Sequence, residues 1–196
     1  MTRITIIDGH PDPNGTRYVH ALADAYAAGG EAAGHEVRRI EIAELDFPIL
    51  RSAGEWRDNA PAAAIHKAQT DIRWANHVVI LYPLWLGDVP ALLKGFLEQV
   101  MRPGFAIEEG SVGAAAKLLT GRSARIIVTM GMPAPIYRLF FRAHSLKSLD
   151  RNLLRFVGIH PVRYSIIGSV EGRASSGENG SEPSPGLGTL LASIVG

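Results

Sequence analysis

Ile4-Thr5-Ile6-Ile7-Asp8-Gly9-His10-Pro11 and Val78-Val79-Ile80-Leu81-Tyr82-Pro83-Leu84-Trp85 share one design: a short apolar run that stops abruptly in a turn containing proline. Runs this apolar, interrupted in the first case only by Thr5, suit strands covered on both faces, as in a parallel sheet. Each is followed by a segment of helical period. In open parallel sheets ligands bind beyond the carboxyl ends of the strands, where strand order reverses. The two turns are therefore candidate ligand loops. One carries His10 and the other Trp85, a combination that suits a cofactor with both a phosphate and an aromatic ring.

Working outward, Arg3 to Asp8 reads as the first strand and Tyr18 to Ala33 as a helix, with Val19, Leu22, Ala23 and Tyr26 on one face. Gly34 is placed to end it. Val37 to Ile42 alternates, as an edge strand does. Leu45 to Asn59 reads as an irregular crossover and Ala62 to Ala75 as a second helix. His77 to Tyr82 is the third strand. Pro90 to Met101 is a third helix, with proline where its missing N–H costs least. Arg102 to Gly113 reads as loop, and Arg125 to Thr129 as the fourth strand. Ile136 to Val157 keeps helical period, with a break expected near His144-Ser145, and Val162 to Val170 is the fifth strand. Alternation of strands and helices predicts a doubly wound α/β domain over residues 1–170 with helices on both faces of a parallel sheet. Residues 171–196, rich in Gly, Ser, Pro and Glu, read as a flexible tail in which Leu187 to Val195 is mildly apolar.

Composition narrows the function. With 196 residues, 46% hydrophobic and 20% charged, the chain has ordinary globular make-up. A net charge of +1 and scattered basic residues give no nucleic-acid surface. The absence of cysteine excludes disulfides, thiolate nucleophiles and cysteine-bound metal. The remaining histidines have no metal-ligand spacing, so no metal is expected. No apolar stretch approaches the ~20 residues of a membrane span, and no signal peptide is visible; a cytoplasmic protein is the expectation.

The first loop, Gly9 to Tyr18, joins a strand to a helix start, where backbone N–H groups favour anions. His10, Thr16 and Arg17 are each able to donate to phosphate there. The same residues also read as a plain polar turn with Thr16 as helix cap. The loop is neither a Gly-x-Gly-x-x-Gly fingerprint nor a Walker loop. In the second loop, Leu84 and Trp85 at a strand end call for a cover, either a flat ring or the next helix. The third loop, Thr129 to Tyr137, lies on the same sheet edge. Tyr137 and His144 are seven residues apart, about two helical turns, which allows both to reach one site as proton donors.

Taken together, Gly9-His10-Pro11, Pro83-Leu84-Trp85 with Val89-Pro90-Ala91-Leu92-Leu93-Lys94-Gly95, and the loop holding Gly131 and Tyr137 resemble the flavodoxin-like NAD(P)H dehydrogenase (quinone) family, the diaphorase-type quinone reductases. The resemblance spans about residues 3 to 168. It implies a flavodoxin-like five-stranded parallel sheet of order 2-1-3-4-5, a homodimer, and a bound flavin, FAD first with FMN as the other form. It also implies NAD(P)H as co-substrate and a quinone or similar small molecule as acceptor, reduced by two electrons in a ping-pong sequence. By position, His10, Thr16, Arg17 and Tyr18 would hold the phosphates; Pro83, Leu84, Trp85 and Leu86 would contact the ring; Thr129 and Gly131 would approach its edge. Tyr137 and His144 match the residues that stabilise developing charge. Arg17-Tyr18-Val19 replaces the family's usual Ser-Phe-Asn, and Met132 replaces a second glycine. Two other readings share the fold: a flavin-binding regulatory subunit of a membrane transport system, and a one-electron carrier, which the near-neutral charge disfavours.

Overall fold

The computed structural model describes residues 1–109 and 117–170. Five strands, β1 (Arg3–Asp8), β2 (Glu36–Glu41), β3 (His77–Pro83), β4 (Ser123–Thr129) and β5 (Val162–Ile167), form one sheet in the order β2-β1-β3-β4-β5. Every neighbouring pair is parallel. This is the flavodoxin-like topology that the resemblance implies. The chain leaves β1 for β2 on one side and returns to β3 on the other, so the switch point lies between the ends of β1 and β3.

Successive strand residues point to opposite faces, and both faces are apolar. On one side Ile4, Ile6, Val79, Leu81 and Ile127 meet Val19, Leu22, Ala23 and Tyr26 of α1 (Tyr18–Ala32). On the other, Ile7, Val78, Ile80, Ile126 and Val128 pack with α3 (Ala63–Trp74) and α4 (Ala91–Val100), through Ile65, Ile72, Leu93, Phe96 and Leu97. Full burial of each such Ile or Leu is worth roughly 1.5–3 kcal/mol. Together these layers hold the strand ends, and the loops that leave them, in fixed relative positions.

Three expectations are corrected. The crossover after β2 is not wholly irregular, because it contains α2 (Ala53–Asp58). Ser52 Oγ accepts the Glu55 N–H at 3.1 Å, and the Glu55 carboxylate accepts the Arg51 N–H at 3.0 Å. The Ser-x-x-Glu spacing was the readable signal for this cap. The segment after β4 breaks as expected, but just ahead of His144-Ser145 and into more pieces: α5 (Ala134–Leu139), α6 (His144–Ser148), a π-helical stretch (Leu149–Leu154) and α7 (Arg155–Val157). The break falls at Arg142 and Ala143, whose φ values of 53° and 47° are left-handed and cannot continue a helix. Finally, β5 stops at Ile167. Gly168 lies so close to the loop after β4 that a Cβ would come within 2.4 Å of the Ala134 nitrogen, and Ser169 N–H donates to Met132 O at 3.1 Å. The chain there clasps the third loop instead of extending the strand. The expected tail at residues 171–196 lies outside the described residues, as do residues 110–113 of the expected loop.

Candidate functional site

The loops after β1, β3 and β4 meet at the carboxyl end of the sheet. Gly9 is what lets the first leave: its N–H donates to Leu81 O at 2.7 Å, and a Cβ would stand 2.6 Å from that same oxygen. Only glycine permits so close an approach. Leu84 N–H donates to Thr129 O at 2.7 Å and ties the second loop to the end of β4.

Beyond Gly9, a chain of short-range bonds shapes the loop. Asp8 Oδ1 accepts the His10 N–H at 3.1 Å, and His10 Nδ1 accepts the Asp12 N–H at 3.1 Å. Asp12 Oδ1 accepts the Asn14 N–H at 2.9 Å, and Asn14 Oδ1 accepts from the Thr16 N–H and hydroxyl at 3.2 and 3.0 Å. Thr16 is thus bound to Asn14 and does not cap α1; the capping position is Arg17, which makes no side-chain cap. The Arg17 guanidinium grips Asp12 Oδ2 through Nε at 2.8 Å and a terminal nitrogen at 2.6 Å. The Asn14 N–H and the Arg17 guanidinium hold the Asp12 carboxyl below its usual range. Any phosphate held by Arg17 must compete with that carboxylate. Tyr18 is half-buried as the first residue of α1.

Sequence reasoning missed the buried centre of this loop. His20 Nδ1 sits 2.6 Å from Asp8 Oδ2 and His20 Nε2 2.9 Å from Asp12 O. Asp8 is 1% exposed, and the His10 and His20 rings lie 5.2 Å apart. Burial, then the charge of His20, lowers the His10 pKa. Burial also pulls His20 down, but its bonds to Asp8 and to Asp12 O, with the charges of Asp8 and Glu41, outweigh that and raise it. The available signal was a histidine in the apolar stripe of α1, where a buried polar ring must find partners.

The second loop turns at Leu86 and Gly87, both at positive φ (49° and 84°), while Trp85 and Asp88 exchange backbone bonds of 3.0 and 2.9 Å. Two left-handed residues in succession form the turn type that closes a two-residue hairpin. The turn puts Trp85 at 49% exposure and Leu86 fully in solvent. Trp85 meets the His10 ring edge to face at 5.9 Å and 82°, so the ring-contact and phosphate-contact candidates adjoin. Pro83 ends β3. The N–H groups of Leu84 and Trp85 bond to Thr129 O and Asp88 O, so neither is directed at a ring lying on the loop.

In the third loop Thr129 is buried and Gly131 exposed. Tyr137 and His144 do not share a helix. The Tyr137 ring, expected to present its phenol to the site, is 1% exposed, and its hydroxyl lies 2.6 Å from Ser145 Oγ. His144 is exposed at the start of α6. At the same end of the molecule Ile136, Leu139 and Phe140 of the α5 region are exposed, the last two by nearly four-fifths. Among the described residues no helix is long and apolar enough to cross a membrane.

A family model described as flavodoxin-like fold matches residues 2–182. A ribosyldihydronicotinamide dehydrogenase-like protein of Penicillium crustosum is 28% identical over 158 residues, 66% of this chain; the chain spans 57% of that relative's length. An FMN-dependent NADH:quinone oxidoreductase of Nitratidesulfovibrio vulgaris is 25% identical over 179 residues, covering 83% of this chain and 85% of the relative. Among solved structures, an NAD(P)H:quinone oxidoreductase from Methanothermobacter marburgensis superposes with a TM-score of 0.73 at 19% identity, over 98% of this chain and 92% of the other. That likeness is one of fold.

Proposed function

The chain belongs to the family with the flavodoxin-like fold, and from that premise we propose that it is a flavin-dependent NAD(P)H:quinone oxidoreductase with its cofactor at the β1/β3 switch point. The observation that carries the reading is the adjacency of His10 and Trp85 across that point. A polar, hydrogen-bonded loop and an exposed aromatic–aliphatic tip stand side by side, as a phosphate joined to a flat ring requires. The residues fit a flavin: Gly9 admits no side chain where the loop leaves the sheet, and His10, with Nδ1 accepting, carries its proton on Nε2 when neutral. Names of relatives support the reading, and the FMN-dependent relative supports FMN over FAD.

When bound, the flavin supplies the two-electron chemistry, oxidising NAD(P)H and reducing the acceptor in turn. His10, Thr16, Arg17 and Tyr18 hold its phosphate end. Pro83, Leu84, Trp85 and Leu86 cover the ring, with Thr129 and Gly131 at its edge. His144 meets the acceptor, and Tyr137 positions that region through Ser145. The exposed Ile136, Leu139 and Phe140, within five residues of one another at α5, form the face against a second copy, since clustered exposed apolar side chains mark an interface.

The test is the visible spectrum of the purified protein before and after anaerobic NADPH or NADH. Flavin bands that bleach on mixing are the expected result. A colourless protein that takes up neither FMN nor FAD overturns the assignment.

A further inference from the structure

We propose that His20, a residue outside the phosphate contacts assigned above, is the charged positioning residue of the first loop: a buried imidazolium that clamps the Asp12 peptide and so sets the loop to receive an anionic phosphate. This rests on the reading just given and deepens it. The donor count comes first. Asp12 O is a carbonyl and can only accept, so His20 Nε2, 2.9 Å away, must carry a proton. On the other side, Nδ1 faces the buried Asp8 carboxylate at 2.6 Å. The Asp8 carboxylate already accepts the His10 N–H on Oδ1 and has the Arg39 guanidinium 3.9 Å from Oδ2; both contacts suit an acceptor, so Nδ1 carries a proton as well. The ring is therefore doubly protonated.

The neighbours agree with that assignment. His10 accepts the Asp12 N–H on Nδ1, so this ring is not an imidazolium. Two charged rings with centres 5.2 Å apart would repel. The two imidazoles thus divide the work: His10 takes the N–H of Asp12, and His20 takes its C=O. Removing the His20 proton at Nε2 would set a lone pair against Asp12 O and release half of the clamp.

The other charged groups around His20 come from every element packed there. Asp8 belongs to β1, and Arg39 and Glu41 to β2. Asp24 on α1 is bonded to Arg39. Arg39 lies 3.9 Å from Asp8 and 3.4 Å from Glu41. Asp12 is engaged by Arg17. Arg39 is thus shared among three carboxylates, while His20 is directed to Asp8 alone. Asp8, Asp24, Glu41 and Glu44, with Arg39, line the same cavity of about 220 Å³ as His10 and His20. In that acidic wall a buried imidazolium lowers the cost of bringing in a phosphate. The raised His20 pKa is in accord.

The experiment measures dissociation constants of FMN and of riboflavin, which lacks the phosphate, by fluorescence quenching from pH 5.5 to 9. It compares the wild-type chain with His20→Gln, which keeps a donor and removes the charge. For wild type, FMN affinity is expected to fall as pH rises through the His20 titration, while riboflavin affinity stays flat. His20→Gln is expected to lose about ten-fold in FMN affinity at pH 6 and to lose the pH dependence, consistent with a charge-assisted contribution. Identical FMN profiles in both proteins, or equal losses for FMN and riboflavin, overturn the proposal. Imidazole 1H–15N spectra of the flavin-free wild type at pH 6.5 decide it separately: a neutral His20 tautomer overturns it. A chain that binds no flavin but shows a doubly protonated His20, and whose loop resonances shift with inorganic pyrophosphate in wild type only, would retain this proposal and sink the oxidoreductase reading.

Discussion

Tyr137 Oη and Ser145 Oγ lie 2.6 Å apart, and the Leu146 N–H reaches the same phenol at 3.4 Å. Those bonds fasten α5 to α6 across the left-handed break at Arg142 and Ala143. Tyr137→Phe removes the phenol and takes a hydrogen-bond partner from the buried Ser145 hydroxyl, so it is expected to cost about 1–3 kcal/mol in unfolding free energy, read from urea titration. If Tyr137 acts by positioning, Ser145→Ala slows quinone reduction as much as Tyr137→Phe does. A rate loss confined to Tyr137→Phe would instead assign the phenol a direct role.

Gly9→Ala tests the sheet end itself. The new methyl would meet Leu81 O at 2.6 Å and Leu93 Cδ2 at 2.7 Å. Leu93 can shift, but the backbone oxygen of a central strand cannot. Overpacking of this kind costs about 1–3 kcal/mol, and the Gly9–Leu81 bond would lengthen with it. A lower denaturation midpoint and weakened flavin retention are both expected. A variant of wild-type stability would mean that β1 and β3 separate more readily than their register implies.

Much of this arrangement is legible in the residues. Apolar runs at Ile4–Ile7, interrupted only by Thr5, and at Val78–Leu81 announce buried parallel strands, because only a sheet covered on both faces can bury every side chain. His10 and Trp85 stand at the ends of those runs, and their adjacency follows from β1 pairing with β3. The Tyr137–Ser145 contact is less legible. A break near His144-Ser145 is expected, but helical period persists through Leu139, Phe140, Ala143 and Leu146, and nothing local declares that Arg142 and Ala143 are the residues that adopt left-handed backbone. The His20 clamp was hidden for a different reason. Its partners, Asp8 and the Asp12 carbonyl, are contacts across a strand–helix junction, which a search for metal spacing does not detect.

The exposed α5 surface gives a third test. Leu139 and Phe140 are 79% and 78% exposed, and burying two such side chains between copies would contribute roughly 3–6 kcal/mol before association entropy. Phe140→Glu is expected to shift the sedimentation equilibrium from dimer to monomer while leaving the circular dichroism spectrum unchanged. A wild-type chain that sediments as a monomer at tens of micromolar would discard the interface.

At the opposite end of the sheet, His77 predicts how stability responds to acid. Its Nδ1 bonds Ser123 Oγ at 2.8 Å and its Nε2 lies 3.4 Å from the Tyr26 hydroxyl. Burial, then the charges of Arg125 and Arg163, lowers its pKa from 6.5 to about 4. The unfolded chain therefore binds a proton at this residue below pH 6.5 that the native chain refuses until about pH 4. Stability from His77 is full above pH 6.5 and is lost as pH falls through that window, by about 3 kcal/mol in all. His20 runs the other way, because its pKa is raised: its contribution is full below 6.5 and is lost as pH rises through its folded pKa. Unfolding free energies of wild type and His77→Gln between pH 4 and 9 separate the two. The variant should show a shallower acid slope, with little difference between the slopes above pH 7. Parallel slopes across the whole acid range would place the titrating group elsewhere.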